Sequence, residues 1–332
     1  MKRRAIIQSA WGLACLTSRP VFAATANPVT PVLWREITFT GLGTLMSIRA
    51  AHTQAAVLDQ ALAAARQVVE RIEDQMSLFR PDSAIRRLNR DGELRQPDPD
   101  LLRLLQRSQH IAQHSRGAFD ITVQPLWQLY AQAQQHGRVP TRAQVQTTRL
   151  RVGWQHLRVT PERIAFDRPG MGITLNGIAQ GHAADRVRET LQAHGIAHAL
   201  INTGEWSSLG QSPAQRDWVL GVADPRANDQ LVTRLAMQGQ CVATSADNQC
   251  AFTTDRRHHH IFNPHTGCSP PDLASVTVVA ADCTLADALT KVLFVAGHAR
   301  ALTVAQAWQA DALVIRKTGQ LQSSRGLRHT LV

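Results

Sequence analysis

The chain has 332 residues, of which 44% are hydrophobic, so it is long enough and apolar enough to bury a sizeable core. This composition excludes disordered and fibrous proteins. Lys and Arg total 36 against 25 acids, a formal net charge of +11, and only three of the basic residues are lysines. The basic residues are spread along the whole chain without a recognised nucleic-acid-binding motif, so we expect no nucleic-acid partner.

The first 23 residues have the pattern of an export signal. A basic start at residues 2–4 precedes an apolar stretch at 5–16 and a small-x-small cleavage pattern at 21–23. We therefore expect a cleaved signal peptide at residues 1–23 and a single domain over residues 24–332. The pair Arg3-Arg4 leaves twin-arginine export open. No later apolar run reaches the length of a transmembrane helix, so we expect a mature chain that does not cross the membrane.

Four cysteines follow the predicted cleavage site, namely Cys241, Cys250, Cys268 and Cys283. No two of them have CxxC spacing, which argues against a zinc or redox motif. An exported protein can join such cysteines in one or two disulfides, or bury them as small apolar side chains. The sequence leaves both outcomes open.

The first half of the chain contains several clear element patterns. Apolar residues at helical spacing predict a helix over 58–72, and Asp98 before Pro99 is a typical helix start. The elements predicted here are, in chain order, β-rich pieces at 34–50, helices over 58–72, from Asp98 to about Gly117 and from Pro125, and strand-like runs at 156–160 and 163–166.

The second half is richer in strands. The elements predicted here are a helix from Gly177 to about Gly195, strand-like runs at 199–202, 218–223, 240–244, 259–262 and 276–280, and a helix over 284–296. Most of these strands succeed one another without a helix between them. We therefore predict an α+β fold, one compact domain with a largely antiparallel sheet flanked by helices.

Two glycine-containing patches are candidates for chemistry. Residues 117–120, Gly-Ala-Phe-Asp, end a helix and lead into an extended turn that carries an acid. Residues 176–181 place two glycines at the start of a helix, where free backbone N–H groups and the helix dipole favour an anion such as phosphate.

Two further patches contain titratable side chains. On a strand, His258 and His260 would share one face and His259 would point away, so the trio is a poor metal chelate. Asp287 stands inside the apolar helical stretch 284–296, where an acid is costly unless it is paired or bound to a cation.

Together and in this order, the patches resemble the ApbE family of FAD:protein FMN transferases. The segments that carry the resemblance span about residues 36–318 and are 76–83 with 88–89, 117–120 with 125–127, 177–181 with 185–186, 244–245, 260–267, 275–276 and 286–289.

The resemblance implies an ApbE or T-fold-like fold and a protein that binds FAD. It implies cleavage of the FAD pyrophosphate with a divalent cation, normally Mg²⁺, and attachment of the FMN phosphate to a threonine of a partner protein, with release of AMP. Such enzymes act in the periplasm, and the expected acceptor is a membrane-associated redox protein.

The resemblance also assigns roles to individual residues. It places FAD contacts at Leu42, Phe79, Ala118, Phe119, Asp120, Thr174, Gln180 and Ile261. It places the metal at Asp287 and Thr290 with a backbone group near Gly177, and the general base at His260.

Several positions depart from the common family pattern. The family commonly has Asp, Lys, Asp and Gly at the positions of Thr174, Gln180, Asn263 and Ala246. Thr290 comes one residue early, and Lys291 stands where the family has a threonine metal ligand. Lys291 lies at i+4 from Asp287, where it can form a simple helix salt bridge or supply charge that a cation supplies elsewhere. Two other functions stay open, an FAD pyrophosphatase and a non-catalytic flavin carrier or assembly accessory.

Overall fold

The computed structural model describes residues 31–227 and 229–331, and this part of the chain forms eight α-helices and fourteen strands. The helices are α1 (Ala55–Met76), α2 (Ala84–Asp91), α3 (Pro99–His114), α4 (Gln124–Gln135), α5 (Arg142–Arg149), α6 (Ala179–Ala193), α7 (Cys283–Ala296) and α8 (His298–Ala307). The strands are β1 (Leu33–Gly41), β2 (Thr44–His52), β3 (Glu93–Arg95), β4 (Leu157–Val159), β5 (Arg163–Phe166), β6 (His198–Asn202), β7 (Trp206–Leu209), β8 (Trp218–Ala223), β9 (Leu231–Met237), β10 (Cys241–Ala246), β11 (Leu273–Ala280), β12 (Asp311–Arg316), β13 (Leu321–Ser323) and β14 (His329–Leu331).

The largest sheet has eight strands in the order β1-β2-β6-β7-β10-β11-β12-β13, and every neighbouring pair is antiparallel. Two three-stranded sheets, β14-β9-β8 and β3-β5-β4, are antiparallel as well. The predicted α+β class with a largely antiparallel sheet in one compact domain is therefore confirmed.

Helices cover one face of the large sheet, and the β8–β9 ribbon covers the other. Successive side chains of a strand point to opposite faces. In β10, Cys241 and Ala243 join the main core with apolar residues of α1, α6 and α7, whereas Val242 joins a second cluster with Trp218 and Leu235. Both faces of the sheet are thus buried around β10, the strand that lies under α7.

Several elements of the structure differ from the predicted ones. The run 259–262 is no strand, because the amide of His259 donates to the hydroxyl of Ser269 and only an isolated bridge joins His259 to Ala251. The helix α2 was missed because its sequence is mostly polar. It is held by the Ser83 side chain, which caps its first turn, and by three buried residues.

Three expectations concern the chain ends, the cysteines and the membrane. The signal peptide at residues 1–23 lies outside the described residues, so the boundary at residue 24 stays a prediction. In the described residues, Cys241 and Cys283 are fully buried free thiols, and Cys250 and Cys268 are free as well. None of the helices in the described part of the chain is both long and apolar enough to span a bilayer.

Candidate active site

The site is built where the start of α6 meets the middle of α7. A Cβ on Gly181 would lie 2.2 Å from the carbonyl oxygen of Cys283, so only glycine lets the two helices approach this closely. The Gly181 N–H then donates to Oδ2 of Asp287 at 3.1 Å. The carboxylate therefore sits at the N-terminal end of α6, where the helix dipole favours a negative charge.

Lys291, one turn after Asp287, pairs with the other carboxylate oxygen of this aspartate. Its Nζ donates to Oδ1 of Asp287 and, at 3.1 Å, to the Asp287 carbonyl oxygen. The Asp287 side chain is 1% exposed and that of Lys291 17%, so the ion pair is buried on one side and reachable on the other. Gly177 gives the lysine room, since a Cβ there would lie 3.0 Å from Lys291 Cε.

The donors expected to hold a metal do not fit a divalent cation in this chain. Both Asp287 carboxylate oxygens have partners, Lys291 Nζ and the Gly181 N–H. The Thr290 hydroxyl donates to the Asp287 carbonyl oxygen at 2.7 Å and contacts the Ser245 hydroxyl at 2.8 Å. An ammonium group therefore stands where the resemblance places the cation, and like charges repel each other.

Glu205, which the sequence analysis missed, is the second buried acid of the site. It lies directly before β7 and is 5% exposed, and its Oε2 accepts a hydrogen bond from the Thr244 N–H at 3.0 Å. Burial, together with the nearby charge of Asp287, raises the pKa of Glu205 well above its usual range, although Lys291 acts in the opposite direction. This shift favours the neutral form of Glu205 beside Asp287.

His260 lies in the loop between β10 and β11, within the electrostatic range of Lys291. Its Nδ1 lies 3.2 Å from the carbonyl oxygen of Cys250, an acceptor, so Nδ1 carries the proton and Nε2 keeps a lone pair. Burial, with a smaller contribution from the positive charge of Lys291, lowers the pKa of His260 to about 4. The ring is therefore neutral at pH 7 and is able to accept a proton at Nε2.

The two neighbouring histidines have structural surroundings. His259 is fully buried against the ring of Phe294, with centroids 5.9 Å apart, and its Nε2 donates to the Pro270 carbonyl oxygen at 3.2 Å. The ring of His258 packs on Tyr130 with centroids 5.5 Å apart. Of the three, His260 is the one whose pKa responds to Lys291.

The β1–β2 hairpin brings two predicted FAD contacts together. Leu42 and Gly43 form the two-residue turn with φ of 49° and 78°, a left-handed conformation that is costly for leucine. The Leu42 N–H donates to Oε1 of Glu73 at 3.2 Å. The Phe79 ring lies against Gly43, where a Cβ would be 2.8 Å from Phe79 Cε2, and it is 67% exposed. An exposed aromatic ring packed against a strained turn is typical of a binding surface.

The predicted contacts at 118–120 and Thr174 lie on adjoining segments. The Thr174 N–H donates to the Ile121 carbonyl oxygen at 2.8 Å. Asp120 is buried and uses both carboxylate oxygens internally, on the Thr122 N–H and hydroxyl and on the Trp154 N–H. Burial raises the pKa of Asp120. Through these hydrogen bonds, Asp120 stabilises the loop that contains Ala118.

The remaining predicted contacts have different degrees of burial. Phe119 and Ile261 are 4% and 3% exposed and belong to the main core. Gln180 lies against Gly204, where a Cβ would be 2.4 Å from Gln180 Nε2, so it borders the Glu205 side of the site. The structure therefore gathers Gly177, Gln180 and Asp287 around α6 and α7, with the Phe79 hairpin as a second group. His260 is near enough to this site for the charge of Lys291 to lower its pKa.

Comparison with known proteins gives consistent matches. The model of the ApbE family matches residues 42–314. A curated FAD:protein FMN transferase from Vibrio cholerae is 30% identical over 260 residues, which cover 76% of this chain and 78% of that protein. The structure of the ApbE protein from Thermotoga maritima superposes with a TM-score of 0.79 at 27% identity, covering 88% of this chain and 97% of that one. Flavin transferase ApbE from Vibrio cholerae gives 0.77 at 25% identity, covering 89% and 98%.

Proposed function

This chain belongs to the ApbE family, and on that premise we propose that it is an FAD:protein FMN transferase. The observation that carries the proposal is the neutral His260 ring with an available Nε2 lone pair, placed within range of the Lys291 charge. A base and a positive charge in one site are what the transfer of a phosphoryl-linked group to a hydroxyl needs.

In the proposed reaction, a threonine hydroxyl of the acceptor attacks the phosphorus of the FMN half of FAD. The bond from that phosphorus to the bridging oxygen breaks, and AMP leaves with this oxygen. The hydroxyl proton passes to Nε2 of His260 and from there to solvent. A positioned base of this kind contributes roughly 10²- to 10⁴-fold to the rate.

FAD binding is proposed at the predicted contacts. The exposed ring of Phe79 beside Leu42 offers a face for a planar flavin or adenine ring. Gln180 and Thr174 offer polar groups at the start of α6 and on the segment before it. Magnesium, which the resemblance implies, has no step in this reaction, because Lys291 occupies the carboxylate that would hold it.

We place the reaction in the periplasm, with a membrane-associated redox protein as the acceptor. The basic, apolar and small-residue pattern of residues 1–23 supports export. A transferase that modifies a protein needs a second chain that carries the hydroxyl, which is consistent with a site that is reachable at Lys291.

The test is to incubate the purified protein with FAD and a candidate acceptor domain and to measure acceptor mass and AMP. We expect the acceptor to gain the mass of FMN less water, with one AMP released per transfer. AMP release without a mass gain would overturn the transferase in favour of an FAD pyrophosphatase. FAD that stays intact and bound would favour a flavin carrier. The acceptor modified by the Vibrio cholerae transferase, with that enzyme present, is the positive control.

A further inference from the structure

Lys291 is an unusual residue at an unusual place. Among 36 basic residues only three are lysines, and one of them lies in the buried helix α7. Its ammonium group contacts Asp287 through both the carboxylate and the main-chain oxygen. These are oxygen donors of the kind that hold a hard divalent cation.

We propose that the Lys291 ammonium replaces the divalent cation of this site, so that the chain carries its own positive charge for the FAD pyrophosphate. The proposal rests on the proposed function and deepens it. The hydrogen bonds found in the described residues use two of the three ammonium donors, both on Asp287. An ammonium has three donors, so one is left for a phosphate oxygen.

The shape of the site suits a lysine better than an arginine. Gly177 leaves just enough space for the lysine stem, because even a Cβ there would come within 3.0 Å of Lys291 Cε. An ammonium is a compact point charge, whereas a guanidinium is wide and planar. In a chain whose other basic residues are nearly all arginines, the lysine is therefore the residue that fits.

The titratable groups around Lys291 are consistent with one positive charge at this site. Asp287, Glu205 and His260 each interact electrostatically with Lys291. His260 is neutral at pH 7 because burial lowers its pKa to about 4, and burial raises the pKa of Glu205 well above its usual range, which favours its neutral form. Asp287 thus pairs one carboxylate with one ammonium, whereas a divalent cation would be left with excess positive charge beside Lys291.

The first experiment measures metal binding and does not depend on activity. Mn²⁺ is titrated into the wild type and into Lys291→Thr, with and without FAD, and free Mn²⁺ is followed by electron paramagnetic resonance. We expect no binding that depends on Asp287 in the wild type, and one bound Mn²⁺ in Lys291→Thr. Binding to the wild type that Asp287→Asn abolishes would overturn the proposal, and so would failure of a folded Lys291→Thr to bind.

The second experiment measures AMP release from FAD, with acceptor present, in EDTA and in Mg²⁺. We expect the wild type to keep its rate in EDTA, Lys291→Met to lose roughly 10²- to 10³-fold in either condition, and Lys291→Thr to require Mg²⁺. A wild type that is active in Mg²⁺ and inactive in EDTA would overturn the proposal while leaving the transferase intact. A wild type inactive in both would count against the proposed function, and the Mn²⁺ titration would still decide the role of Lys291.

Arg66→Met is the matched control for both experiments. Arg66 forms an exposed i,i+4 pair with Glu70 on α1 and lies over the Phe39 ring, so its loss removes a helix salt bridge and a cation–π contact without touching Asp287 or Lys291. We expect unchanged activity in EDTA and no Mn²⁺ site. Circular dichroism of all variants checks that they fold.

Discussion

The sharpest prediction about the reaction concerns His260. Replacing it with alanine removes the Nε2 lone pair that the Cys250 carbonyl oxygen orients through Nδ1. We expect His260→Ala to lower turnover by roughly 10²- to 10⁴-fold. The affinity for FAD should change little, because His260 acts on the acceptor hydroxyl. The proposed FAD contacts Phe79 and Leu42 belong to the separate hairpin group.

The structure also sets the pH dependence of this step. With a pKa of about 4, His260 is neutral throughout the range from pH 5.5 to 8, so its protonation changes the rate by only a few per cent there. A histidine with the ordinary pKa of about 6.5 would be neutral in about one molecule in eleven at pH 5.5, which would lower the rate about elevenfold. Initial rates of acceptor flavinylation at saturating FAD between pH 5.5 and 8 distinguish the two cases.

His258→Phe is the control, because phenylalanine preserves the packing of this position on Tyr130. We expect near-wild-type turnover from it. Near-normal turnover of His260→Ala, or an equal loss in both variants, would refute the base assignment. A rate that falls about tenfold between pH 8 and 5.5 in the wild type would refute the lowered pKa.

Three further predictions follow from particular contacts. Phe79→Ala should weaken FAD binding by about 1 kcal/mol, roughly fivefold in Kd by fluorescence titration, because an exposed ring is lost; an unchanged Kd would remove Phe79 from the FAD site. Gly181→Ala, ordinarily stabilising in a helix, should cost about 1–3 kcal/mol, because its Cβ would lie 2.2 Å from the Cys283 carbonyl oxygen; urea unfolding measures this, and a gain in stability would contradict the close helix approach. Burial lowers the pKa of His259 to about 4, below the ordinary 6.5. Its contribution to the free energy of unfolding is therefore complete above pH 6.5 and is lost as the pH falls toward 4. This loss of unfolding free energy should approach about 3 kcal/mol. Between pH 7 and 4.5, the free energy of unfolding should therefore decrease less in His259→Leu than in the wild type, and equal decreases in the two proteins would contradict the prediction.

Elements with local signals were predictable from the sequence. The helix α3 begins where Asp98 accepts a hydrogen bond from the Asp100 N–H and Pro99 occupies the first turn. The chain leaves this helix near Gly117, whose φ is 78°. Capping and glycine conformations act over a few residues, so a single sequence carries them in full.

The order of the strands could not be read in this way. The β10 strand pairs with β7 and β11, and the β7 pairing joins Cys241 to Ser207, 34 residues earlier in the chain. Such pairing depends on which faces are buried by distant segments. Glu205 was missed for the same reason, because its burial beside Asp287 depends on β7 and α7 coming together.

The glycine patch before α6 shows how a correct physical argument can leave the ligand undetermined. The sequence predicted an anion at this helix start, and in the structure the Asp287 carboxylate accepts the Gly181 N–H there. Helix dipoles and free N–H groups attract any anion, so the pattern does not distinguish phosphate from a side chain of the same protein. The carboxylate then draws in Lys291, and the ammonium is fixed at the point where an incoming pyrophosphate would need a positive charge. The glycines thereby act on the phosphate chemistry indirectly, through the position of a lysine.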